Sequence, residues 1–326
     1  MNRSLLLDLL RIFAISLVFV AHFGQLLDGS AGNFFGVKNF YYVSLGGVGV
    51  SLFLLLSGIL AGLGDSGKSG FVSYFLKKIL RIYPLYLMSI PLAILGYFLG
   101  IWLLEGSPPE LFPNGFLTDL FGSVTGFYSW MGLWGGPYNS PSWFIALILT
   151  MYAMFPFIFF LMKKQPHLVI VILFLVSAVS RYYVGKEGVP FVDQSFFDDL
   201  KGWFYRQYGF MPGRPGDWFP PCRVFEFALG IYLALVIPRE LWFKLRLAVL
   251  EKPIQFLSDL AFPLFLIHYP YMFLVLYFAD IGLPLSLSIV GVIAMLVVVA
   301  YFISVLDAGV PRKRIMLLLS KNNASQ

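Results

Sequence analysis

The sequence predicts an all-α, polytopic transmembrane helical bundle, and three observations predict it. Of its 326 residues 59% are hydrophobic and only 12% charged. Mean hydropathy is +0.81, and apolar runs long enough to cross a bilayer recur from one end of the chain to the other. Runs such as 289–306 are continuously apolar instead of alternating lipid-facing and lumen-facing residues, which excludes a membrane β-barrel.

Eight spans follow, at 4–27, 43–63, 79–104, 140–162, 167–184, 223–238, 254–278 and 286–306. The first starts almost at Met1, is too long for a signal peptide and has no small-residue cleavage site ahead of the polar DGSAGN stretch, so it is expected to persist as a helix. The second is the Gly-rich apolar run GGVGVSLFLLLSGILAG, and the third opens on the basic FLKKILRIYPLY. The fourth begins SWFIALILT, the fifth ends in polar residues, and the sixth is short. The seventh carries Pro263 and Pro270; the eighth is apolar throughout.

The loops carry charge unevenly. Counted with their flanks, alternate loops on one side hold 16 of the 23 basic residues and six acids, against seven basic and eleven acidic residues on the other, net +10 against −4. By the positive-inside tendency both termini are expected in the cytoplasm. The basic excess is thus a topology signal, and no nucleic-acid partner is expected. A ninth crossing at 116–136 would reverse every later loop and put Lys163, Lys164 and the 312–314 cluster outside, which the charge tally opposes. One membrane domain, 1–312, and a short cytoplasmic tail, 313–326, account for the chain. The lone Cys222 excludes an intrachain disulfide and a Cys-rich metal site, and no metal is expected. Segments 105–139 and 185–222 mix Gly and Pro with aromatics, as headgroup-level loops or as the mouth that receives a sugar-like or lipid-linked molecule.

A charge at the middle of a spanning helix costs ~2.5–3.5 kcal/mol, so those present line a cavity or have a partner. Arg11 and His22 are eleven residues apart on the first span, on nearly one face and separated by roughly 16 Å along the axis. Asp8, one turn before Arg11, can pair with it. The bland alternatives are snorkelling for Arg11 and an interhelical hydrogen bond for His22. Lys77, Lys78 and Arg81 crowd what reads as the first turn of the third span. With the free N–H groups of a helix start they suit a phosphate-bearing ligand, or simply mark the inner boundary. Arg223 and Glu226, three apart at the start of the sixth span, read as a buried ion pair. His268 lies between two helix-breaking prolines, a pattern tolerated where a helix faces protein or a water-filled cavity. His167, at a loop boundary, has no assigned role.

Taken in order, these motifs resemble the acyltransferase 3 family of integral membrane O-acyltransferases. Asp8-Leu-Leu-Arg11 and the spacing of Arg11 to His22 resemble its opening signatures. Gly49, Phe53, Ser57 and Gly58 match its second-helix stretch, and Arg81, Tyr83 and Pro84 its basic motif. Trp143, Phe144, Tyr152 and Pro156 match the next helix; RVFEFALGIYLA, LSDLAFPLFLIHYP and DAGVP follow in the family's order, so the resemblance covers 5–312. Three features depart from the pattern. Lys78 stands where the family often has Arg and lacks its bidentate fork; Ile148 stands where many members carry Glu; and eight spans replace the usual ten.

The resemblance implies transfer of an acyl group, most often acetyl, from cytoplasmic acyl-CoA to a hydroxyl of a saccharide or lipid-linked acceptor in or across the membrane. Acyl-CoA would be a co-substrate, with no permanently bound cofactor. His22 would be the general base, with Arg11 and Asp8 completing the catalytic set, and Lys77, Lys78 and Arg81 would hold the CoA phosphates. Ser57, Trp143, Tyr152, Arg223, Glu226 and His268 would line the pocket, with Ser57, Tyr152 and Arg223 as oxyanion-donor candidates. The resemblance implies a multi-pass protein of the bacterial cytoplasmic membrane, among membrane lipids, with any hand-off beyond the bilayer made by this chain or by a separate extracytoplasmic partner. A transporter or flippase of a lipid-linked or saccharide substrate is the alternative, since intramembrane charges also mark transport paths.

Overall fold

The structure is a computed structural model and describes residues 3–28, 33–34, 37–38, 45–64, 70–130, 136–189, 215–312 and 315. The tail 313–326, apart from Ile315, and much of the 185–222 segment therefore lie outside the described residues. The eight expected spans are present: α1 (Leu5–Asp28), α2 (Leu45–Leu63), α3 (Phe71–Glu105), α4 (Trp143–Lys164), α5 (Pro166–Glu187), α6 (Pro220–Val236), α7 (Glu251–Tyr271) and α8 (Leu285–Ala308). Seven helical stretches are long and apolar enough to cross a membrane alone. The seventh span is the broken one: α7 is followed by a short helix, Leu274–Asp280, bent from it by 48°. A two-residue ladder, Asn33–Phe34 on Val37–Lys38, is the one strand pairing among the described residues.

No ninth crossing forms among the described residues. Residues 116–130 fold as Phe116–Thr125 and one turn, Phe127–Trp130, divided at Gly126, where φ is +71°. A ten-residue helix rises only about 15 Å, half the hydrocarbon core.

Contact registers fix the direction of each span. Leu7 clusters with Leu56, Ile59 and Leu63 while Gly49 abuts Ala14 and Val18, so α1 and α2 are antiparallel. Arg223 meets Ser51 and Ala234 meets Gly62, so α2 and α6 run together. Asp8 meets Ser258 and His22 meets His268, making α1 and α7 parallel. Tyr74 stacks on Phe155 while Tyr152 lies under Lys78, making α3 and α4 antiparallel. Arg312, just past α8, bonds the Leu80 carbonyl near the start of α3. The helices thus alternate, and one end of the bundle, the basic end, gathers Arg3, Arg11, Lys77, Lys78, Arg81, Lys163, Lys164 and Arg312.

Small residues set the closest crossing. A Cβ on Gly58 would stand 2.0 Å from the Phe227 carbonyl oxygen, and one on Gly230 2.1 Å from that of Leu55, so α2 and α6 touch backbone to backbone. In lipid, where tails are as apolar as Leu, such close van der Waals approach replaces the hydrophobic effect as the force between helices.

Two helix ends differ from expectation. α3 starts at Phe71, eight residues early, because helix continues through the polar boundary residues that mark a membrane edge but do not stop a helix. Lys77, Lys78 and Arg81 are therefore in its second and third turns, beyond the four free N–H groups of the helix start, and that contribution to anion binding is lost. The single span read at 254–278 is interrupted after Tyr271, next to Pro270, whose ring removes a backbone donor.

Candidate active site

The α1–α7 interface carries two polar layers. At the basic end, Asp8 is buried and accepts from Arg3 Nε at 2.7 Å and Nη2 at 3.0 Å. It also accepts from the Ser258 hydroxyl at 2.7 Å. Arg11 Nη1 donates to that same hydroxyl at 2.7 Å and lies 3.4 Å from Asp8 Oδ1. The expected Asp8–Arg11 pair exists, but its tighter link runs through Ser258, and Arg3 is the carboxylate's closer cation. Arg3 reaches Asp259 as well, at 2.8 Å. Burial pulls the Arg3 guanidinium down, but its bonds to the two carboxylates outweigh that and raise its pKa.

Two arginines and two aspartates balance here; the neighbouring cations do not. Arg81 is exposed and close enough to act electrostatically on both Arg11 and Lys78. Lys78 is half-buried, its ammonium 4.5 Å from the Tyr152 ring centre and 5.4 Å from that of Tyr74. Ring faces attract a cation without neutralising it. Among the described residues Lys77, Lys78 and Arg81 have no ion-pair partner, so this end presents net positive charge that an anion would balance.

At the other end of the interface lies a ring of imidazoles and aromatics. His22 stands 5.2 Å from His268 and 5.1 Å from Tyr269, ring centre to ring centre. Phe19 stacks on His268 at 4.9 Å. His22 Nδ1 is 2.9 Å from Gln25 Oε1. His268 is fully buried and donates from Nδ1 to the Phe265 carbonyl at 2.9 Å; its Nε2 has no hydrogen-bond partner. The backbone explains how this turn is held. Pro270 cannot donate to the Leu266 carbonyl, and Asn139 Nδ2 does so instead, at 2.6 Å. Asn139 precedes the short turn Ser140–Ser142 that opens α4, so one amide ties the start of α4 to the turn bearing His268. Asn139 also lines a small pocket with Tyr86, Ser89, Ser123 and Tyr138.

A third polar group joins α2, α5 and α6. Glu226 Oε1 accepts from Arg181 at 2.6 Å and lies 3.3 Å from Arg223. Arg223 is buried and donates to Ser51 Oγ at 3.2 Å. Glu226 Oε2 and Arg223 Nε are buried without a hydrogen-bond partner among the described residues.

The structure pairs Arg223 with Glu226, as the sequence suggested, and brings His268 to His22, a contact the sequence did not indicate. Tyr152 belongs instead to the Lys78 layer, Trp143 packs edge-on against Phe144, and Ser57 has no hydrogen-bond partner among the described residues. Residues not anticipated are Arg3, Ser258, Gln25, Asn139 and Arg181. Gln25 had a signal, lying three residues after His22 on the same helical face. Arg181 and Asn139 had none, because their partners are distant in sequence.

Comparison with known proteins places these residues in context. The model of the acyltransferase 3 family, described as an acyltransferase domain, matches residues 5–251. The chain is 28% identical over 250 residues to the acyltransferase MdmB of Streptomyces mycarofaciens, covering 72% of this chain and 57% of that protein. It is 28% identical over 124 residues to an O-acetyl transferase of Shigella phage Sf6, covering 38% of this chain and 35% of that protein. The chain thus spans little more than half the length of one relative and about a third of the other. No solved structure matches it. The match ends at Glu251, so α7, which supplies Ser258 and His268, lies past the matched residues and joins the site through its contacts with α1.

Proposed function

The chain belongs to the acyltransferase 3 family, and on that premise we propose that it transfers an acyl group from acyl-CoA to a hydroxyl of a saccharide or lipid-linked acceptor. The observation that carries this reading is the single α1–α7 interface, with unbalanced cations beside Arg11 at one end and a hydrogen-bonded imidazole, His22, at the other. An acyl-CoA is polyanionic at one end and carries its thioester at the end of a long, thin arm, which is the shape such an interface would accept.

In this reading Arg81 offers a guanidinium fork to the CoA phosphates, Lys77 and Lys78 add point charges, and Arg11 closes the inner mouth. The arm runs between the helices toward His22. The acceptor hydroxyl gives its proton to the neutral imidazole as its oxygen attacks the thioester carbonyl; the C–S bond breaks and the thiolate takes the proton from His22. Acetyl is the acyl group this reading favours, in keeping with the phage relative's name. The charge tally would put the basic end in the cytoplasm, where acyl-CoA is made, and the chain in a bacterial cytoplasmic membrane.

The test is label transfer from radiolabelled acetyl-CoA by membranes carrying the protein and by purified protein in lipid, counting free acetate and acetylated product. Wild type should turn over, and His22→Ala should lose at least a hundredfold, the low end of general-base catalysis at ~10²–10⁴. A wild-type protein that neither binds acetyl-CoA nor releases its label would sink this reading and favour transport.

A further inference from the structure

Building on the base role proposed for His22, the geometry points to Gln25 as the residue that sets its tautomer and aims it. The Oε1 of an amide only accepts, so with Oε1 turned to the ring at 2.9 Å, Nδ1 of His22 carries the ring hydrogen in this arrangement. That leaves Nε2 as the lone-pair nitrogen, the one able to take a proton from a hydroxyl. His22 and Gln25 are three residues apart on α1, where side chains are neighbours, so the contact needs no other element to form it.

A base oriented by a third group is the general design of nucleophile–base–orienter sites, in which a carboxylate usually fills the third place. Among the described residues no carboxylate reaches His22; its ring neighbours are His268 and Tyr269. His268 does not take the place of Gln25 as orienter: with its ring hydrogen on the Phe265 carbonyl, its acceptor nitrogen is Nε2, and that atom makes no hydrogen bond to His22. A neutral amide suits a membrane helix: it fixes the same N–H without the desolvation cost that a carboxylate carries there. Gln25 is therefore a positioning residue. It touches the ring that touches the substrate, and it keeps Nε2 unprotonated and pointed.

Two measurements test this. The first compares kcat and acetyl-CoA KM of wild type, Gln25→Leu and Gln25→Glu. Gln25→Leu should lower kcat tenfold to a hundredfold with KM unchanged, and Gln25→Glu, which again accepts from Nδ1–H, should restore most of it. A packing role predicts the reverse order, since Leu fills the space and a carboxylate does not suit it; wild-type kcat in Gln25→Leu, or no recovery in Gln25→Glu, overturns the assignment. The second needs no change near the site. The chain has three histidines, so 15N-histidine NMR of a His167→Gln protein in lipid reports only His22 and His268. Hydrogen on Nδ1 of His22 is expected; hydrogen on Nε2 overturns the proposal. If wild type transfers no acetyl group the acyltransfer reading fails by itself, while the spectrum still decides the role of Gln25.

Discussion

Asn139 donates to the Leu266 carbonyl at 2.6 Å, filling the bond that Pro270 withholds from its own helix. A side chain from the start of α4 thereby completes the backbone of α7 one half-turn before His268. In a medium without water to solvate a freed carbonyl, such a partner is what makes a mid-membrane proline tolerable.

The pairing predicts a coupling. Asn139→Ala should destabilise the protein by about 1–3 kcal/mol, the cost of an orphaned buried polar group. In a Pro270→Ala background the residue at 270 regains its N–H, the helix satisfies Leu266 itself, and the same substitution should cost close to nothing. Unfolding in detergent of the four proteins checks this; additive losses would mean that Asn139 matters for another reason.

The device recurs at the basic end. Pro84 frees the Leu80 carbonyl, and Arg312 Nε donates to it at 2.8 Å while its guanidinium also holds Asp307. Arg312→Lys keeps the charge but loses the fork, and should lower stability nearly as much as Arg312→Ala. Pro84→Ala should soften both losses. Thermal unfolding of the single and double variants decides, and full stability in Arg312→Lys would show that charge alone suffices.

Most of the bundle was legible because apolar length is a strong, local signal: all eight spans were located, and the break of α7 was visible as Pro270 though not as a bend. The start of α3 was not, because Lys77 and Lys78 look like an edge when they are a helical face meeting the membrane boundary. At the site, helical spacing along one strand of sequence gave Arg11, His22 and Asp8. It could not give Ser258, 250 residues from Asp8, or Arg181, 45 residues from Glu226. Those pairings exist only once α1 lies on α7 and α5 on α6.

Asp8 and Arg81 should separate stability from donor binding. Asp8 joins Arg3, Arg11 and Ser258, so Asp8→Asn should lower stability by up to about 3–5 kcal/mol, the range for breaking a buried pair, reduced because Arg3 is partly exposed. It removes a negative charge beside the basic end, so acetyl-CoA should bind no more weakly than to wild type. Arg81→Ala, which breaks no ion pair, should leave unfolding unchanged and weaken acetyl-CoA at least tenfold. Parallel melting curves and binding isotherms test both; weaker binding by Asp8→Asn at normal occupancy of the fold would place Asp8 in the donor site itself.

Glu226 serves two arginines of unequal burial: the Arg223 side chain is 3% exposed and that of Arg181 45%. The order of losses follows from what each substitution strands. Glu226→Ala leaves Arg223 as a buried cation without its ion-pair partner, held among the described residues by hydrogen bonds to Ser51 and Gly47, at about 3–5 kcal/mol. Arg223→Met removes the buried cation, keeps Glu226 on Arg181, and should cost less. Arg181→Ala breaks a half-exposed ion pair, worth about 0–1 kcal/mol after solvent screening, and one hydrogen bond to the Cys222 carbonyl, so it should still cost less than Glu226→Ala. Adding Arg223→Met to Glu226→Ala should recover part of the larger loss, because an apolar side chain replaces the stranded charge. Unfolding free energies of the four variants check the order, and a double variant weaker than Glu226→Ala alone would show that the Arg223 guanidinium is held by its hydrogen bonds to α2 and does not depend on its carboxylate.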